Sequence, residues 1–161
     1  MSPVRIVGVG SPFGQDRIGW QAVEALSSTD LLQRFPDGLV SLHQCDRPGP
    51  HLLNVIRGAD GAIIIDALQS GAEPGTLRCL EPQAFAGEAD RFSSHGFGVS
   101  ATLELGQSLG ELPEFVRIVA IEMDPASAYS TALTPQLIQN LLDTIINKIN
   151  EIISKTNLVS S

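Results

Sequence analysis

A chain of 161 residues suits one compact domain that buries roughly two-thirds of its unfolded surface, and a hydrophobic share of 43% fits an ordinary globular protein. Eighteen acidic residues against ten basic ones give a net charge of −8, and the few Lys and Arg are scattered, which argues against nucleic acid and against an anionic membrane as partners. Two cysteines, Cys45 and Cys79, stand at no metal or redox spacing, so a disulfide scaffold is excluded, a reducing compartment is expected, and both read as small buried apolar residues.

The opening Met1-Ser-Pro-Val-Arg-Ile runs straight into a strand with no charged and apolar leader, and no apolar run approaches bilayer length; the expectation is a cytoplasmic protein. Val4 to Val9 reads as the first strand, followed by a Gly-Ser-Pro turn and a helix of about four turns with Trp20, Val23 and Leu26 on its apolar face, ending near Ser27-Ser28-Thr29-Asp30. Leu39 to His43 is the second strand. Pro50 to Arg57 is a short helix carrying Leu52, Leu53 and Ile56, and Ala62 to Ile65 is the most buried-looking strand. Gly75 to Leu80 reads as a short strand after a Pro-Gly turn, antiparallel and at an edge. Residues 81–94 are irregular and polar.

Val99, Leu103 and Leu109 mark a further helix, Val116 to Ile121 another central strand, and Leu133 to about Ile153 a long closing helix. No linker, repeat or low-complexity stretch divides the chain, so residues 1–161 form one domain. Alternating strands and helices predict an α/β, three-layer sandwich: a mostly parallel, twisted, five-stranded sheet with helices on both faces, phosphorylase/hydrolase-like in its layers. The turns after the first and third strands then open at the same edge. In the last helix Ile138, Leu142, Ile145, Ile149 and Ile152 alternate spacings of four and three, with Leu141, Ile146 and Ile153 widening the stripe. Most of it is core; its final turns and Leu158-Val159 could join two copies in a weak homo-oligomer.

Three side chains carry the chemistry. Asp16 stands before the first helix, Asp66 follows Ile63-Ile-Ile, and His95 opens a helix after a polar loop, each at a strand end or helix start where ligands collect in open α/β sheets. Alone, Asp16 could be a helix cap and His95 a satisfied surface group. Asp66 at the end of a central strand has to be paired, hydrogen-bonded or metal-bound once buried. Together, two carboxylates and an imidazole suit zinc, nickel or a similar divalent ion with positions left for water or substrate. No Gly-x-Ser-x-Gly elbow is present and neither cysteine pairs with a histidine, so metal-assisted hydrolysis is the reaction these residues support.

The turn Gly8-Val-Gly10-Ser-Pro-Phe-Gly14 invites a dinucleotide reading, but its third glycine comes one position late and the second strand ends in His43-Gln44 without an acidic ribose ligand. Glycines that let strand and helix meet closely explain the turn equally. His43 and His51 are additional candidates for the site, and Arg17, Asp46 and Arg47 for its rim.

In order along the chain, residues 8–26, Ile63-Ile-Ile-Asp66-Ala-Leu, the Pro74-Gly75-Thr turn, Ser93-Ser-His95-Gly, Val116-Arg-Ile-Val-Ala-Ile and Leu133-Thr-Pro135 resemble the motifs of the nickel-iron hydrogenase maturation endopeptidases. The resemblance runs from about residue 4 to about residue 150. It implies Asp16, Asp66 and His95 as metal ligands and catalytic residues, and a hydrogenase large-subunit precursor as partner. In that family a C-terminal extension is removed after nickel insertion, with nickel supplied by the substrate; zinc or cadmium could take its place in a crystal. Two features depart from the family pattern: Gln15 stands where a second acidic residue is common, and Gln44-Cys45-Asp46-Arg47 replaces an Asp-Gly-Gly-Thr-like segment. The second departure leaves open a homologue that binds the precursor without cutting it. A Rossmann-like small-molecule or nucleotide binder is the alternative from another class.

Overall fold

The computed structural model describes residues 3–10, 17–46, 50–88, 96–124 and 133–160, with the side chains of 50, 96–97 and 157–160 excepted. Within them the order is β1 (Val4–Val9), α1 (Ile18–Ser27), a 3-10 turn (Leu32–Arg34), β2 (Val40–Cys45), α2 (Pro50–Ile56), β3 (Gly61–Leu68), β4 (Leu77–Leu80), α3 (Pro82–Gly87), α4 (Gly96–Leu109), β5 (Phe115–Glu122) and α5 (Pro135–Ser160). The five strands form one sheet in the order β2-β1-β3-β5-β4. All neighbours are parallel except β4, which runs antiparallel to β5 at the edge, as the Pro-Gly turn before it led one to expect.

Helices cover both faces, so the three-layer α/β sandwich holds. One face carries α1 and α5: Ile18, Ala22, Val23 and Leu26 from the first helix and Leu137, Leu141, Leu142, Ile145, Ile149 and Ile152 from the last pack on Val4, Ile6, Ile63, Ile65, Val119 and Ile121. The opposite face carries α2, α3 and α4, with Leu52, Leu53, Ile56, Phe85, Val99 and Leu103 against Val7, Val9, Ile64, Leu68, Ile118 and Ala120. Side chains alternate between these two cores along each strand. Because both faces are covered, β3 is buried at every position, which is why it reads as a continuous apolar run.

Several expectations are corrected. The first helix has ten residues, about three turns. It ends at Ser27, within the expected cluster, where Ser27, Ser28 and Thr29 turn their hydroxyls onto the carbonyls of Glu24 and Leu26. Trp20 is only half-buried and donates its indole N–H to the Cys45 carbonyl (3.2 Å) instead of joining the apolar face. The stretch read as irregular begins with α3, started by Pro82 at its first position after an extended Glu81 and anchored by fully buried Phe85. Leu109 is 58% exposed and lies outside the core. Cys45 is buried as expected, whereas Cys79 is exposed: on the edge strand β4, opposite Val119, it lies at the margin of the α1–α5 core.

The long closing helix starts where Thr134 caps it, accepting the Leu137 amide at 3.1 Å with Pro135 next in line, and it continues to Ser160. Most of its stripe packs on the sheet: Leu141, Leu142, Ile145, Ile149 and Ile152 are buried and Ile146 and Ile153 pack partly against them, while Ile138 is half-buried and Leu137 takes the buried place beside it. The side chains of Leu158 and Val159 lie outside the described set. No helix among the described residues is long and apolar enough to cross a membrane.

Candidate active site

Strand order decides where a ligand can sit. From β1 the chain goes outward to β2, then returns to β3 on the other side of β1, so the sheet reverses its winding between β1 and β3. The carboxyl ends of these two strands therefore part into a crevice, the usual binding place in open α/β sheets. β1 stays paired with β3 only as far as Gly8 opposite Ile65, while β3 stays paired with β5 to Leu68 opposite Glu122. Asp66 is the first residue of β3 beyond the β1 ladder.

Its carboxylate is 1% exposed, and Oδ1 accepts the Ala67 amide at 2.8 Å. By alternation with Ile64 and Leu68, the side chain belongs to the α2–α4 face. A carboxylate so placed is expensive to keep charged without a compensating cation or donors, which the apolar run before it made visible in the sequence.

The two other predicted ligands, Asp16 and His95, lie outside the described residues, and so does Arg47 of the predicted rim. The chain next to each of the two is described. Arg17, exposed, is the N-terminal cap of α1, and α4 begins at Gly96. What holds the start of α1 at the crevice is a pair of glycines. A methyl group on Gly19 would overlap the Val9 carbonyl oxygen and stand 2.9 Å from that of Ile65, and one on Gly8 would overlap the Gly19 oxygen. The helix thus begins in direct contact with the ends of β1 and β3. Close backbone approach accounts for Gly8 without any nucleotide.

A second latch ties β2 to the same place. Trp20 and Gly10 both donate to the Cys45 carbonyl, at 3.2 and 3.0 Å, and the Gln44 amide donates to the Trp20 carbonyl at 3.2 Å. Asp46, next along, is exposed, as a rim residue must be.

The additional histidines lie on β2 and at the start of α2. His51 is exposed on α2. His43 sits on the edge strand with its Nε2 2.8 Å from the Ser41 hydroxyl, and burial, helped by the Arg5 guanidinium, holds its pKa below the usual 6.5. Arg5 itself serves the fold, donating to the carbonyls of Val55 and Arg57 (2.7 Å each) at the end of α2.

Sequence reasoning missed Glu122. It ends β5 as Asp66 follows the β1-paired part of β3, is likewise 1% exposed, and alternates onto the same sheet face, with Leu68 opposite it and Asp66 opposite Ala120. Its carboxylate accepts the amides of Ser70 (2.8 Å) and Gly71 (3.0 Å) and the Ser70 hydroxyl (2.8 Å). The signal was available: Ile121-Glu122 repeats the pattern of an acidic residue closing an apolar strand. A cavity of about 370 Å³ lies elsewhere, between α3 and α4, lined by Pro82, Ala86, Leu103 and Leu112 with no residue singled out for chemistry.

The family model described as hydrogenase maturation protease matches residues 47–152. Among curated proteins, the chain is 30% identical over 134 residues to the hydrogenase expression/formation protein HoxM of Azotobacter vinelandii, covering 81% of this chain and 62% of that protein. It is 26% identical over 146 residues to HupD of Thiocapsa roseopersicina, covering 88% and 64%. The chain thus spans a little under two thirds of the length of these relatives. In three dimensions it is similar to the hydrogenase maturating endopeptidase HybD from E. coli, with a TM-score of 0.68 at 24% identity over 92% of this chain and 93% of the other. The solution structure of an endopeptidase from Escherichia coli gives a TM-score of 0.73 at 23% identity over the same shares, a likeness of fold.

Proposed function

The chain belongs to the hydrogenase maturation protease family, and from that premise we propose that it is an endopeptidase acting on a nickel-iron hydrogenase large-subunit precursor. It removes the precursor's C-terminal extension after nickel insertion. The observation that carries this reading is Asp66: a carboxylate buried to 1% at the β1–β3 switch point, where an open sheet holds its ligand.

Nickel enters as part of the substrate. Asp16, Asp66 and His95 offer it two carboxylate groups and an imidazole, a donor set suited to nickel or zinc that leaves coordination sites for substrate and water. A divalent ion held there would polarise the scissile carbonyl. Asp66 contributes most by being fixed: it is set in the centre of the sheet with Oδ1 held by Ala67, so it costs little ordering when the metal arrives. Specificity follows from the same arrangement, because a precursor without nickel lacks the group that the three side chains would grip. The acidic chain is expected to work in the cytoplasm, on a soluble partner.

The test is direct. Purified protein incubated with nickel-loaded precursor is expected to yield a shortened large subunit, while nickel-free precursor stays intact. Asp16→Asn, Asp66→Asn and His95→Ala are each expected to abolish the shortening. Cleavage by all three variants at the wild-type rate would remove the proposed site, and a folded wild type that never cuts would remove the peptidase reading itself.

A further inference from the structure

The strand order forces residues 69–76 into an unusual path. β3 and β4 lie on opposite sides of β5, so the connection between them has to cross the carboxyl end of β5, at the same edge as Asp66. Glu122 stands under this arch and fastens it with both backbone and side chain. Its amide donates to the Thr76 carbonyl and its carbonyl accepts the Gly75 amide, both at 2.9 Å, while the Met123 amide donates to the Leu68 carbonyl at 2.9 Å. The buried carboxylate takes the three donors of Ser70 and Gly71. Gly71 turns the corner at a φ of 88°, in the left-handed region.

A tie of this kind does more than close a loop. A short connection could be satisfied by water, yet here a charged group is buried and its oxygens are given to one corner, next to the crevice. The arch leaves β3 two residues after Asp66, and Gln69, Gly71, Ala72, Glu73 and Pro74 on it are exposed. A backbone segment held rigid and exposed beside a crevice can receive an extended peptide without first losing conformational freedom.

We propose that residues 69–76 form the wall against which the substrate peptide lies, and that Glu122 is the positioning residue that holds this wall in place. Resting on the peptidase reading above, the inference adds a determinant of peptide binding separate from the metal ligands. Glu122 acts through the arch and touches no reacting atom, so its loss should weaken binding equally in ground and transition states.

The experiment is steady-state cleavage of nickel-loaded precursor. Glu122→Ala is expected to raise KM roughly tenfold with kcat within about twofold. Glu122→Gln keeps an acceptor for the two amides and should recover most of the loss. Ser70→Ala removes one of three donors and should raise KM roughly two- to threefold; it carries the same test should Glu122→Ala fail to fold. An unchanged KM in folded variants, or a fall confined to kcat, overturns the proposal. In parallel, hydrogen exchange with the precursor is expected to protect the amides of 69–76 in the wild type and less in Glu122→Ala. If the wild type binds but does not cut, the peptidase reading fails while this protection still upholds the wall; absence of protection overturns the wall in either case.

Discussion

The two faces of the sheet are built for different purposes. On the α1–α5 side the core cluster is apolar throughout, with the α5 stripe laid across the sheet. The other side, under α2 to α4, holds every buried polar or charged residue found among the described residues: Asp66 and Glu122 from the strands, and Thr102 of α4, whose hydroxyl donates to the Gly98 carbonyl. Both faces bury apolar side chains, but only the second also buries the polar groups for which metal binding and the holding of the arch are proposed. Stability and activity should therefore separate by face.

The largest separation is expected at Asp66. Asp66→Asn keeps the shape and an oxygen for the Ala67 amide, so denaturant unfolding should shift by no more than about 1 kcal/mol. Cleavage should fall by more than the roughly 10- to 100-fold typical of losing a ligand's outer partner. The converse case is Ile149→Ala on α5. A fully buried side chain on the hydrocarbon face is lost, costing about 2–5 kcal/mol in urea unfolding, with kcat and KM nearly unchanged in the surviving folded protein.

Gly19→Ala tests the junction where α1 meets the ends of β1 and β3 at the crevice. The added methyl meets backbone oxygens of β1 and β3, which cannot turn aside as a side chain can, so α1 has to shift. A loss of about 1–3 kcal/mol is expected, together with reduced cleavage; loss of stability alone would show that the start of α1 does not serve the site.

The smallest effect concerns His43. Its depressed pKa means that the unfolded chain takes up a proton before the native one, so stability is unaffected above 6.5 and declines as pH falls below it toward the native value. Urea midpoints measured across that window should decline less in His43→Gln than in the wild type. Glu151 acts in the same direction, lower on the pH scale. Its carboxylate is held below the usual range by Lys155, with Lys148 also bonded to it. That contribution is present above about 4.5 and is lost as pH falls through the native value.

Asp66 was legible in the sequence because an acidic residue after Ile63-Ile-Ile breaks a pattern that burial on both sheet faces imposes. Glu122 broke the same pattern and was passed over, since its partners Ser70 and Gly71 are about fifty positions away and no local spacing links them. α3 was hidden for a related reason: its six residues carry one buried anchor, Phe85, too few to set up a periodicity. The apolar stripe of α5, with six of its residues buried in one cluster, could be read directly.

By itself the sequence determined the alternation of strands and helices, the two-sided burial of β3 and the chemical character of Asp16, Asp66 and His95, because these follow from local periodicity and side-chain type. Tertiary structure alone decided the order β2-β1-β3-β5-β4, the switch point beside Asp66, the seating of Gly19 on Val9 and Ile65, and the binding of residues 70 and 71 by Glu122. Each of these joins groups remote along the chain, through backbone hydrogen bonds and close packing that any residue of suitable size and polarity can make, and such contacts leave little trace in the sequence around them.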